Sequence, residues 1–265
     1  MALISFGALS YHWERSSWPV RLLGIAGILC GFYLSAKSGS RTGWANLPVF
    51  FAVWITFIAT QKFTVRTTVL IVAAMTSVAV VAVMSQPFLV GKLVKAVNEI
   101  RTYQWNAINP DESVMMRISF YRMGLFYFLQ NPMAGWGDLG WQRLMNAPEI
   151  TVYASEYTRE FAKNGFHNEV VTSAVRSGIW GLLSALGFLL IPLAYAFKVL
   201  RRNRYGSATY FNGFFLLVYM LHLLISGMTT EVINLIFLAS FHGLVIATVA
   251  GECIRMHVTE ESGTP

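Results

Sequence analysis

The sequence predicts an all-α, polytopic membrane protein. It has six transmembrane spans, a partial helix ahead of them and one large helical loop on the outer face. Three observations carry this reading. Of 265 residues, 55% are hydrophobic and 12% charged, about half the charged share of a typical soluble domain and too little to cover a water-soluble globule. The Lys and Arg residues fall between long charge-free intervals. Much of the remaining charge collects in a single stretch, 92–176. A cytosolic enzyme, a disordered tail and a nucleic-acid module are all excluded, and the net charge of +7 belongs to loop residues rather than to a nucleic-acid surface. The chain reads as one membrane domain, 1–265.

A bilayer core takes about 20 helical residues to cross. The opening 1–13 is uncharged but too short, and it reads as the tail of a helix whose beginning is missing. It has no basic n-region or cleavage site of a signal peptide. The interval 22–36 spans if Arg21 and Lys37 snorkel. The intervals 42–61, 67–91, 177–197, 205–230 and 232–251 hold 20, 25, 21, 26 and 20 residues, and complete the six. With the C-terminal tail inside, the inner loops carry nine basic residues: Arg15, Arg21, Lys62, Arg66, Lys198, Arg201, Arg202, Arg204 and Arg255. The short outer turns carry only Lys37 and Arg41. That asymmetry fixes the orientation and places 92–176 outside.

This loop of 85 residues holds eight of the 13 acidic residues, nine basic ones and 13 aromatics. Loops of that length are uncommon unless they have a function. Asn109-Pro110-Asp111 signals a turn, and 113–130 reads as a helix stopped by Asn131-Pro132. Gly135, Gly137 and Gly140 form a flexible stretch. A helix restarts near His167-Asn168-Glu169 and enters the membrane through Arg176, leaving about 92–172 as the outer loop proper.

Gly135-Trp136-Gly137-Asp138-Leu139-Gly140 matches GxGxxG, but no strand precedes it, so it is no dinucleotide fingerprint. Two local readings stay open: backbone N–H groups turned toward a phosphate, or a plain turn. Asp111 and Asp138 are the only aspartates, no Asp-x-Asp pair exists, and the outer loop has no His pair at ligand spacing. Neither a metal nor another cofactor is expected. Cys30 and Cys253 make no disulfide framework. His12 and His257 sit near the inner interface. His222 and His242 lie within spans, where an ionisable group is a functional candidate but a neutral imidazole also serves as an interhelical hydrogen-bonder. His167 stands outside, where the helix re-enters the bilayer, and imidazole is the usual side chain for proton transfer near neutral pH. Arg41, after Ser38-Gly39-Ser40, is an interfacial anchor or an anion ligand. Arg117 lies on the helix 113–130, on a solvated face or facing a phosphate, and its planar fork suits a pyrophosphate.

In order, these residues resemble the O-antigen ligase family. The pattern comprises Ser40-Arg41 in an outer turn, Arg117 heading a helix, and Asn131-Pro132-x-x-Gly135-x-Gly137. It closes with His167-Asn168-Glu169 running into Arg176-Ser177-Gly178-x-x-Gly181, in a span ending in Ile191-Pro192-Leu193. The resemblance covers roughly 20–250. It implies a multi-pass protein of the bacterial inner membrane whose active face is periplasmic. The implied reaction moves a glycan from undecaprenyl pyrophosphate to a sugar hydroxyl of lipid A-core, inverting and without a metal. In that scheme His167 is the general base, Arg41 and Arg117 bind the pyrophosphate, and the partners are the lipid-linked donor, lipid A-core and membrane lipids. Family members usually have about twelve spans, so an N-terminal half is expected to be missing. A polysaccharide polymerase of the same superfamily, an inactive remnant and a transporter-like protein are the alternatives.

Overall fold

The computed structural model describes residues 17–37, 66, 70, 73, 77, 87–203, 207–233 and 236–262. Among these residues the regular structure is helical, without a strand. The helices are α1 (Trp18–Lys37), α2 (Pro87–Thr102), α3 (Ser113–Gln130), the single turn α4 (Pro148–Thr151), α5 (Glu156–Ala162), α6 (Glu169–Arg202), α7 (Ala208–Gly227) and α8 (Ile236–Ser262). A 3₁₀ turn at Trp141–Leu144 precedes α4. Three stretches among the described residues are long and apolar enough to cross a membrane: Glu169–Arg202, Ala208–Gly227 and Phe237–Met256. They cover the last three expected spans. The interval 22–36 falls within α1, which is not one of the three. The expected span 42–61, most of 67–91, the opening 1–13 and Arg41 lie outside the described residues.

Two compact units take in the described residues, one within Lys62–Leu186 and Gly227–Asn234, the other within Met1–Gln61, Gly187–Ser226 and Leu235–Pro265. In the first, α3 has the boundaries its sequence predicts. It buries Met115, Ser119, Phe120, Met123, Gly124 and Tyr127, a stripe at helical spacing. Around that stripe gather Trp141, Met145, Ile150, Tyr153, Ala162, Phe166 and Val175. The start of α3 needs an acceptor for its first free N–H groups, and α2 supplies it: the Glu99 carboxylate accepts from Val114 N at 2.7 Å. Asn109 builds the preceding turn, accepting from Gln104 N and donating to the Gln104 and Ala107 carbonyls at 2.7–3.0 Å. Ser155 caps α5 by accepting from Thr158 N at 3.0 Å, and Asp111 accepts from the Ser155 and Thr158 hydroxyls.

Burial raises the Tyr127 phenol and pushes Tyr153 up to about 12, against the opposing pull of Arg122. Arg122 lies 3.7 Å from the Tyr153 ring centre and donates to the Trp105 carbonyl at 2.8 Å. It is a structural cation, held among aromatic rings.

In the second unit, α7 approaches the end of α6 closely. A Cβ on Gly213 would come within 2.6 Å of Val199 Cγ1. Helices α7 and α8 are joined by the Tyr219 hydroxyl and His242 Nδ1, 2.7 Å apart.

Candidate functional site

The break in α6 organises the site. Ser177 (φ −130°, ψ 18°) and Gly178 (φ 62°, ψ −145°) leave the helical region, which frees carbonyls in the preceding turn. The glycine segment takes them. Trp136 N donates to Val175 O at 2.9 Å and Gly137 N to Arg176 O at 2.8 Å, while Ile179 N returns a bond to Pro132 O at 2.7 Å. Gly135 N is bonded within its own turn, to Asn131 O at 3.0 Å. The amides of Gly135, Trp136 and Gly137 therefore face carbonyls of the chain. The stretch expected to be flexible is an ordered turn, and of its two readings the turn is the one that the hydrogen bonds support. Space requires a glycine on each side of the junction: a Cβ on Gly135 would stand 2.5 Å from Arg176 O, and one on Gly178 of α6 2.5 Å from Pro132 O. Asp138 closes the junction with an ion pair to Arg176 at 2.7 Å.

At the other end of this half-helix is His167. Its φ of 49° makes it the one non-glycine residue with positive φ among the described residues, a conformation that costs an L-residue roughly 1–2 kcal/mol. Its neighbours hold it there. Phe166 is fully buried, and its N–H donates to Thr172 Oγ1 at 3.0 Å. Asn168 is the N-cap of α6, its Oδ1 accepting from Val171 N at 3.1 Å, as a short polar side chain does at that position. The His167 ring is half-buried between Phe120 of α3 and Phe161 of α5, each centroid 5.4 Å away and inclined by 25°. The stacked faces leave the ring edge, with its nitrogens, as the reactive part. Neither nitrogen is hydrogen-bonded to another described residue.

Arg117 stands one helical turn before Phe120 on α3, so the two side chains are neighbours on the helix surface. The same helix meets the region around His167 at two more points. The Tyr121 hydroxyl donates to Met228 O at 2.9 Å, and a Cβ on Gly124 would stand 2.2 Å from Val171 Cγ1. Arg117 is half-buried and engages no described acceptor, whereas Arg122 is fully committed to its aromatic cage. Phe120, whose ring stacks on His167, thus links the imidazole to the helix that carries Arg117. Arg41 lies outside the described residues. Of the span histidines, His242 makes its expected interhelical bond, while His222 Nδ1 is buried without a partner. Among the described residues, no three His, Cys, Asp or Glu side chains cluster as metal ligands.

Two carboxylates have structural roles that the sequence reading did not give them. Glu169 is fully buried; one oxygen accepts from Val232 N and Ile233 N at 2.7 Å each and the other from the Ser173 hydroxyl at 3.0 Å. It ties the start of α6 to the segment linking α7 and α8. Glu231, in that segment, accepts from the Thr172 hydroxyl at 3.0 Å. The signal was available: Glu231 is the only charged residue between Arg204 and Glu252, and Glu169 follows an N-cap asparagine.

Residues 25–186, more than half of the chain, match a family model described as O-antigen ligase. The chain is also similar to a Haemophilus influenzae protein that carries only the name "Uncharacterized protein", with 22% identity over 204 residues. That alignment takes in 77% of this chain and 50% of the relative, so the chain spans about half the length of the curated protein it matches. The matched range of the family model ends within α6 and includes His167, Arg117 and the junction between the glycine turn and the helix break.

Proposed function

Because this chain belongs to the O-antigen ligase family, we propose that it transfers a glycan from undecaprenyl pyrophosphate to a sugar hydroxyl of lipid A-core at the periplasmic face of the inner membrane. The donor carries its own leaving group, as chemistry outside the cell requires. An acceptor oxygen attacks the anomeric carbon while the bond from that carbon to the pyrophosphate oxygen breaks. The hydroxyl proton passes to a ring nitrogen of His167. The electron pair of the broken bond leaves on the pyrophosphate, where fixed cations stabilise it. Arg117 is one such cation and Arg41 the second. A single displacement inverts the anomeric centre, and no step calls for a metal.

The observation that carries this reading is His167. Its ring is stacked against Phe120 and Phe161, its nitrogens make no hydrogen bond to a described residue, and Arg117 lies one helical turn from Phe120 on α3 without a described acceptor. A base must be held rigidly and stay open at its edge, and this arrangement meets both conditions. The test is in vitro transfer from an undecaprenyl-pyrophosphate-linked glycan to purified lipid A-core, using the membrane-embedded protein. His167→Ala loses roughly 10²–10⁴-fold in rate, the usual contribution of a general base, and EDTA leaves the wild-type rate unchanged. Transfer by His167→Ala at the wild-type rate would remove the base assignment, and inhibition by EDTA would remove the metal-free mechanism.

A further inference from the structure

We infer that Glu231 is a positioning residue for His167, acting through Thr172; the inference rests on the base assignment above. The relay runs in one direction. Thr172 Oγ1 donates its single proton to Glu231 Oε1 at 3.0 Å, so its lone pairs are left to accept, and one of them receives Phe166 N–H at 3.0 Å. A hydroxyl free to rotate could present its hydrogen to that N–H instead. The carboxylate prevents this by fixing the hydroxyl rotor.

The same carboxylate oxygen also packs directly against the turn. Gly165 has φ 132°, and a Cβ there would stand 2.4 Å from Glu231 Oε1. The peptide between Gly165 and Phe166 is therefore packed against the Thr172–Glu231 pair, immediately before the one non-glycine residue with positive φ among the described residues. The strain at His167 persists only if the flanking backbone over-determines it. Below this peptide the buried Phe166 side chain is fixed in the core, and beyond it Asn168 caps α6. Glu169 anchors the backbone of Val232 and Ile233, next in sequence to Glu231, which sets where the second carboxylate stands. The segment between α7 and α8 is thus tied twice to the start of α6, once by each glutamate. Glu231 touches no reacting atom in this scheme. It sets where the imidazole edge points, and a misplacement of about 1 Å in such a group is enough to cost about 10²-fold in rate.

The test uses four variants of the full chain in membranes with the same transfer assay: Glu231→Ala, Glu231→Gln, Thr172→Val and Thr172→Ser. Glu231→Ala and Thr172→Val should each lower kcat by about 10²-fold with little change in KM. Their combination should fall no further than either alone, because both break one relay. Glu231→Gln keeps a carbonyl acceptor and Thr172→Ser keeps the hydroxyl, and both should restore kcat. Hydrogen exchange provides a readout independent of catalysis: the 165–167 amides should exchange faster in the Ala and Val variants and as in wild type in the Gln and Ser variants. Wild-type kcat in Glu231→Ala, multiplicative losses in the double variant, or a Glu231→Gln as impaired as Glu231→Ala would each overturn the inference. If His167→Ala itself proves active, the transfer mechanism fails, and the exchange measurements still decide whether the relay holds the turn.

Discussion

Gly178→Ala should be among the most damaging single-methyl additions in the chain. The residue has φ 62° and ψ −145°, a region that is essentially confined to glycine and costs other residues about 1–3 kcal/mol. The added Cβ would also stand 2.5 Å from Pro132 O and 2.7 Å from Met133 C. These are backbone atoms that cannot swing aside. Relief requires the glycine turn to back away from α6, which breaks the bonds from Trp136 N, Gly137 N and Ile179 N, each worth about 1 kcal/mol net. The total is about 4–6 kcal/mol, a large part of the 5–15 kcal/mol that holds a typical domain. Gly137→Ala is the matched control. Gly137 has φ 70° but nothing within 4 Å of an added Cβ, so it should lose only the backbone term of roughly 1–2 kcal/mol. Thermal and denaturant unfolding of both variants in detergent micelles, with hydrogen exchange at residues 136, 137 and 179, measures the difference. Equal stability of the two variants, or unchanged protection of those amides in Gly178→Ala, would refute the account of the junction.

Four further outcomes follow from the same geometry. Glu169→Ala leaves Val232 N and Ile233 N without their acceptor and should cost about 2–5 kcal/mol in the unfolding assay, with proteolysis newly admitted near residues 228–234. Arg117→Lys keeps the charge but not the two-pronged grip, and transfer should fall roughly 10–100-fold, the value of one charge-assisted bond; wild-type kinetics would remove Arg117 from donor binding. The raised Tyr127 and Tyr153 phenols keep their protons in the folded chain to higher pH than in the unfolded one, where they titrate near 10. Stability from them is therefore present below about pH 10 and is lost as pH rises toward about 12, which phenolate absorbance followed beside unfolding will register. In a background lacking Cys30 and Cys253, a cysteine at position 155 should react with an impermeant maleimide in outer-permeabilised cells and one at position 203 should not; the reverse pattern inverts the topology.

Local patterns in the sequence were legible wherever one segment decides its own structure. Helix α3 begins and ends as read, because Asn131-Pro132 stops it and its apolar stripe has helical spacing. The three apolar stretches of α6, α7 and α8 follow from the lack of charge. His167 and Arg117 were found by residue type and context. The break at Ser177-Gly178 was not legible as a break, since Gly178 looks like any small residue entering a span until the turn from 132 to 137 is laid against it. For the same reason the glycines at 135 and 137 read as flexible. Their order comes from carbonyls about 40 residues away, which no local pattern encodes. Helix α2 went unread because its apolar and charged residues alternate irregularly, and its Glu99 gains meaning only from the N-terminus of α3. The contacts of the glutamate pair were hidden likewise: Glu169 reaches Val232 and Ile233, and Glu231 reaches Thr172, across about 60 residues of sequence.

The junction between the glycine turn and the broken helix also works as a neck. The chain between Asp138 and Arg176 makes an excursion whose two ends are fastened by the same three amide bonds and one ion pair. Once a neck is fixed, the length of the excursion beyond it matters little, because doubling a flexible loop adds only about 0.6 kcal/mol of closure entropy. Within 138–160 the buried Trp141, Met145, Ile150 and Tyr153 must keep their places against α3, so changes of length are absorbed at exposed positions between them, such as Asn146 and Glu149. The stacking contact from Phe161 must still be kept. Such a design lets the exposed surface of the excursion change from one chain to another, while the imidazole and the helix break beneath it keep their places.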